Sequence, residues 1–158
     1  MKIKSSWFHI SLKIPWFKNI YFYFYSILDA VFVRPQFSLK RFGKAVQKAG
    51  LWDTLNTLDG NSFTVFAPRN VAFFDFETDD LSPEQLKEVL ESHIIFGEVR
   101  FEAMKEGAND YKSIRGSPIT VNKEGNRATI TTSKGTANIK KFDILTKNGV
   151  IHIIDKVL

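Results

Sequence analysis

The stretch Asn148-Gly149-Val150-Ile151-His152-Ile153-Ile154 constrains the fold more than any other part of this sequence. Asn-Gly is a turn dipeptide, because both residues tolerate positive φ. Four of the five residues after Gly149 are β-branched and apolar, and His152 is the exception. In a strand, Val150, His152 and Ile154 face one way, and Ile151 and Ile153 face the other. Both faces are apolar, which demands a strand covered on both sides. Everything upstream must therefore supply the layers that bury it.

A chain of 158 residues predicts one domain and buries about 70% of its unfolded surface, enough for a core without staples. It has no cysteine, which excludes a disulfide framework, a thiolate nucleophile and a cysteine-rich zinc site, and leaves the redox compartment open. The net charge of +5 is unevenly placed. Residues 1–25 hold Lys2, Lys4, Lys13 and Lys18 and no acid, so four of the 22 basic residues lie there and 18 face 17 acids in the rest. A nearly neutral body without a basic stripe argues against a nucleic-acid partner.

Residues 1–25 form a basic, aromatic leader ending in Tyr21-Phe22-Tyr23-Phe24-Tyr25. The uncharged run from Asn19 to Leu28 is too short for a membrane span, and no small-residue cleavage site follows Tyr25, so a signal peptide is not convincing. A packed or mobile arm, a membrane anchor and a misassigned start codon remain open readings. Lysines among Trp7, Phe8, Trp16 and Phe17 would suit an anionic membrane surface.

From Ser26 a second texture begins. Ser26 with Asp29 predicts a capped short helix, and Ser38 is placed to cap another whose buried face is Leu39, Phe42, Val46 and Ala49. Gly50 is placed to end it, and Leu51, Leu55 and Leu58 continue a short helical turn. Phe63–Ala67 reads as a strand stopped by Pro68, and Asn70 as the N-cap of a short helix. Ser82-Pro83-Glu84-Gln85 is a capping box opening a helix that buries Leu86, Val89, Leu90 and His93. One helical turn at Phe101–Met104, ended by Gly107, precedes strands at Ser117–Val121, Arg127–Thr132 and Thr136–Lys140. The first two form a hairpin over Lys123–Asn126, and Phe142–Leu145 leads into the last strand.

Two blocks, Phe63-Thr64-Val65-Phe66-Ala67-Pro68-Arg69-Asn70-Val71-Ala72-Phe73 and Asn148 through Leu158, together resemble the fasciclin-like domain family. Between them Ser92-His93-Ile94-Ile95 is similar to the family's Tyr-His segment, with Ser92 in place of the tyrosine. Ser26-Ile27-Leu28-Asp29, Phe37-Ser38-Leu39 and Ala49-Gly50-Leu51 resemble its opening helices, so the likeness covers 26–158. It implies an α+β fold: a bent β-sandwich of about seven strands with a cluster of short helices at one end. It further implies a secreted or cell-surface, non-enzymatic adhesion module whose partner is a cell-surface or matrix protein or glycan. Some animal members present an Asp-Ile segment to receptors. The matching residues are Asp143, Ile144 and Leu145, preceded here by Lys141-Phe142 where Asn-Lys is common.

Asp143, Ile144 and Leu145 are thus the candidate partner-binding residues, together with His93 of the Tyr-His segment. The competing reading of His93 is a core histidine bonded to backbone; that of Ile144 is a core anchor beside a turn-forming Asp143. His152 reads as a satisfied buried imidazole and Asn70 as a structural cap. His9, His93 and His152 lack the close spacing of metal ligands, and no phosphate loop or nucleophile elbow is present. No catalytic residue, metal or cofactor is expected. A small apolar ligand in a cleft of the sandwich is a further alternative.

Overall fold

A computed structural model of the protein describes residues 26–33, 35–57 and 60–158. The leader and Leu58 lie outside these residues. The elements run α1 (Ile27–Val33), α2 (Lys40–Lys48), α3 (Trp52–Asn56), β1 (Phe63–Pro68), α4 (Pro83–Glu91), β2 (Ile94–Phe96), β3 (Gly107–Lys112), β4 (Pro118–Glu124), β5 (Arg127–Thr132), β6 (Gly135–Thr146) and β7 (Gly149–Ile154). Short 3-10 turns occupy Pro35–Phe37, Asn70–Phe73 and Phe101–Ala103.

The seven strands lie in the order β2-β1-β7-β6-β5-β4-β3, with β1 and β7 parallel and the other neighbours antiparallel. The sheet bends back on itself. A bridge from Ile95 to Ser113 and a bond from the Ile114 N–H to the Ile94 carbonyl, 2.8 Å, bring its two ends together. Such closure protects strand edges that would otherwise invite foreign pairing. The bend runs through β6, whose residues Gly135–Asn138 pair with β5 and whose residues from Ile139 onward pair with β7. The β6–β7 register breaks twice, between Ile139 and Lys141 and between Lys141 and Ile144. The α+β fold of about seven strands with short helices at one end is therefore present.

β7 is buried along its whole length, between β1 and β6. Ile151 and Ile153 join Phe63, Val65, Ile144 and the helices in one cluster, while Ile154 joins Phe66, Ile119, Val121 and Ile130 in a second. The alternation read from the sequence thus divides the core in two. Gly149 sits at φ 149° with its Cα so close to the Phe63 backbone that a Cβ would lie 1.8 Å from the carbonyl oxygen. No other residue fits there.

Asn148 does more than turn the chain. Its buried Oδ1 accepts the Ile27 N–H at 2.9 Å, capping α1, and its Nδ2 donates to the carbonyls of Leu55, 2.7 Å, and Thr57, 3.1 Å, at the end of α3. One amide joins two helices to the start of β7. Ser26 and Asp29 make the expected reciprocal cap on α1, and Ser82 and Gln85 the expected capping box on α4. Gly50, at φ 67°, ends α2 in a Schellman motif: its N–H donates to Gln47 and that of Leu51 to Val46.

Several expectations are corrected. Ser38 does not cap α2; it stands at φ 52° and Leu39 takes the N-cap position without a side-chain bond. Asn70 does not cap its own turn. Its Oδ1 accepts the Arg41 N–H at 2.9 Å, so it caps α2 from 29 residues away, while its own N–H donates to the Ser38 carbonyl at 2.7 Å. The strand expected at Thr136–Lys140 continues to Thr146, making Phe142–Leu145 a bulged strand rather than a connecting loop. The sequence reading also missed β2 and β3, which are short or half exposed and lack a clear apolar alternation.

Candidate functional site

Asp143 lies at the second register break of β6, in the left-handed region at φ 54°. Aspartate tolerates this conformation better than most residues, and a bulge is where a strand can accommodate it. The residue is held there by one backbone and one side-chain hydrogen bond. The Asp143 N–H donates to His152 Nδ1 at 3.3 Å, and Asp143 Oδ1 accepts the Phe101 N–H at 2.9 Å. His152 in turn donates from Nε2 to the Val99 carbonyl at 2.9 Å. The relay runs from Val99 through His152 and Asp143 to Phe101. It fixes the imidazole as neutral, protonated at Nε2.

Burial pushes the His152 pKa below the ordinary histidine range, against opposing contributions from the Val99 bond and the nearby Asp143 carboxylate. The ring stacks on Phe66 at 5.4 Å and meets the edge of Phe142 at 6.2 Å. It is a brace for the bulge.

The three candidate residues are differently exposed. Ile144 is buried in the helix-side core and pairs with Ile151, whereas Leu145 is half-buried opposite Val150. The Asp143 side chain is 27% exposed, and its Oδ2 has no partner among the described residues. The surface feature is thus one free carboxylate oxygen beside a half-covered leucine. Lys141 and Phe142, the departures from the family pattern, are both engaged: the Lys141 ammonium lies 4.6 Å from the centre of the Phe37 ring, and Phe142 packs on Phe101 at 3.9 Å.

His93 stands apart from this group. Immediately after α4, it is fully buried, with Nδ1–H donating to the Val89 carbonyl at 2.7 Å and Nε2 accepting the Leu158 N–H at 3.0 Å. Burial lowers its pKa to about 4, opposed by the Val89 bond and assisted slightly by Lys134. Both ring nitrogens are used and no atom reaches the surface. Its role in the fold is to tie α4 to the segment after β7. The sequence reading missed the bracing partners Val99 and Phe101, because they lie more than 40 residues from Asp143 and carry no motif.

Among the described residues, no group of three or more histidine or acidic side chains could hold a metal ion, and no helix is long and apolar enough to cross a membrane. Two surface clefts, of about 400 and 590 Å³, are lined largely by charged and polar chains.

The described residues thus form a helix-fronted, bent seven-stranded sheet in which His93 and His152 are both buried. The fasciclin domain family model matches residues 37–158, and the chain belongs to that family. It is 34% identical over 119 residues to transforming growth factor-beta-induced protein ig-h3 of Sus scrofa, covering 72% of this chain and 16% of that protein. It is 29% identical over 131 residues to human periostin, covering 80% of this chain and 15% of that protein. The chain therefore spans only about a sixth of these relatives. A solved fasciclin domain pair from the insect cell adhesion molecule Fasciclin I superposes with a TM-score of 0.69 at 23% identity, covering 85% of this chain and 50% of that one. That likeness concerns the fold.

Proposed function

We propose that this chain is a non-enzymatic binding module, secreted or displayed at the cell surface, that contacts a protein or glycan partner through the β6 bulge at Asp143 and Leu145. The observation that carries the reading is the fixed geometry of Asp143. A hydrogen-bond relay holds the residue at positive φ through its N–H and its Oδ1 and leaves the side chain 27% exposed, with Oδ2 without a partner among the described residues. A pre-ordered polar atom beside apolar surface is an economical recognition element, since little freedom is lost on contact. Family membership supports the adhesive class. The burial of both described histidines supports a non-catalytic role, because neither can reach a substrate.

Ile144 anchors the bulge from the core, while His93, away from it, fixes the end of α4. The test compares attachment of the full 158-residue chain to intact cells and extracellular matrix with that of Asp143→Asn and Leu145→Ser. Asparagine keeps the Phe101 bond and tolerates the backbone angle, so only the charge is lost. Attachment should weaken by about tenfold in each variant, as expected for a central contact, with the melting temperature of Asp143→Asn little changed. Undiminished attachment of both would remove the bulge from the binding surface.

A further inference from the structure

The bend in the sheet opens a groove that the bulge does not use. The ladder between β5 and β6 ends at Thr129 and Asn138. Arg127 and Ala128 continue β5 beside β4, while β6 turns away from Ile139 onward to pair with β7. The two strands fork, and a cleft of about 590 Å³ lies in the fork. Its volume is within the range of ligand sites, and it is open to solvent along the fork.

The lining is largely polar. Asn122, Thr129 and Asn138 stand in one row across three strands, by the registers Asn122↔Thr129 and Thr129↔Asn138, at the roughly 4.8 Å spacing of neighbouring strands. Each amide is oriented by an acid, Asn122 Nδ2 donating to Glu124, which also lines the cleft, at 2.9 Å and Asn138 Nδ2 to Asp155 at 2.9 Å. Neither amide oxygen has a partner among the described residues. The Thr129 hydroxyl and the Arg127 guanidinium have no partner among the described residues, whereas Lys140 is neutralised by Asp155 at 3.3 Å. Half-exposed Phe142 supplies a ring at one end, held rigid by Phe101 and the edge of His152.

We propose that this fork binds an extended, uncharged glycan chain. Sugar hydroxyls are paired donors and acceptors, which match a row of fixed amide oxygens, a hydroxyl and a planar guanidinium. The apolar face of a sugar ring suits the flat face of Phe142. Charge agrees, because Glu124 faces Arg127 across the β4–β5 pair and Lys140 is already paired, leaving little net charge to favour an anion. A peptide fits less well. Ala128 and Ile139 close the floor of the fork and offer no socket for alternate side chains.

The proposal rests on the reading of the chain as a binding module but uses a surface separate from Asp143 and Leu145. The test titrates the isotopically labelled full chain with neutral hexasaccharides of glucose, mannose, xylose and N-acetylglucosamine at millimolar concentration, following backbone amide resonances. At least one should shift resonances confined to residues 122–129 and 138–142. Arg127→Ala and Thr129→Val, both at positions without an internal bond, should lower that affinity about tenfold with an unchanged melting temperature. Absence of shifts with all four sugars, shifts mapping elsewhere, or affinity unchanged in both variants would overturn it. Asp143→Asn should leave the glycan titration unaltered. Failure of the glycan test with retained, Asp143-dependent attachment to cells rejects the fork site and leaves the module reading standing.

Discussion

His93 and Asn148 show how much a single buried polar side chain can hold together in this domain. The imidazole of His93 joins Val89 to Leu158, and the amide of Asn148 joins Ile27, Leu55 and Thr57. In the unfolded chain His93 takes up a proton near pH 6.5, but in the folded chain only near about 4. Between those values the unfolded state binds more protons, so stability is full above pH 6.5 and falls as pH drops toward 4. The loss from this residue is about 3 kcal/mol, and His152, also lowered, adds to it with the same sign. Urea unfolding followed from pH 7 to 4 should show this decline. His93→Gln should lower stability at pH 7 and flatten its pH dependence. Asn148→Ala strands one N–H and two carbonyls in the interior and should cost about 2–4 kcal/mol, measured as a shift in urea midpoint at unchanged slope.

At the scale of the element, α2 depends on a residue outside it. Asn70, in the turn after β1, caps the second residue of α2, a helix with Lys40 and Arg41 but no acid in its first turn. Cations at that end oppose the helix dipole and Leu39 offers no side-chain acceptor, so the cap from Asn70 carries more weight. Asn70→Ala should destabilise the chain by about 1 kcal/mol and speed amide exchange in the first turn of α2 before the rest of the helix. Asn70→Asp, which keeps the acceptor and adds a favourable charge, should hold or raise stability. The sequence announced Asn70 as a cap because asparagine next to an apolar run has that preference. It did not announce which helix, because the pairing is made by β1 laying Asn70 against α2.

For the whole molecule, the nearly closed sheet makes stability uneven. β7 is buried between two partners, while β3, at one end of the strand order, alternates half-exposed and exposed residues and pairs along its length with β4 alone. Amides of β7 should therefore exchange only through global unfolding, and those of β3 through local opening at lower free energy. Equal protection of the two strands would mean that the link through Ser113 carries more cooperativity than its single bridge implies.

Strand β7, the caps at Ser26 and Ser82 and the helix ending at Gly50 were legible in the residues, because each depends on local chemistry: alternation, a hydroxyl three residues before an acceptor, a glycine after the last helical turn. The position of Asp143 on a bulged strand was not legible. Nothing in Phe142-Asp143-Ile144 marks a bulge, and the groups that hold it there come from Val99, Phe101 and His152. The same holds for the fork beside β5, which exists because β6 changes partners midway. Local composition by itself determined which segments are buried and where several helices start and stop. Only the tertiary structure decided which polar atoms are consumed by the core and which stay at the surface, since a hydrogen bond between distant segments leaves no periodicity in the sequence.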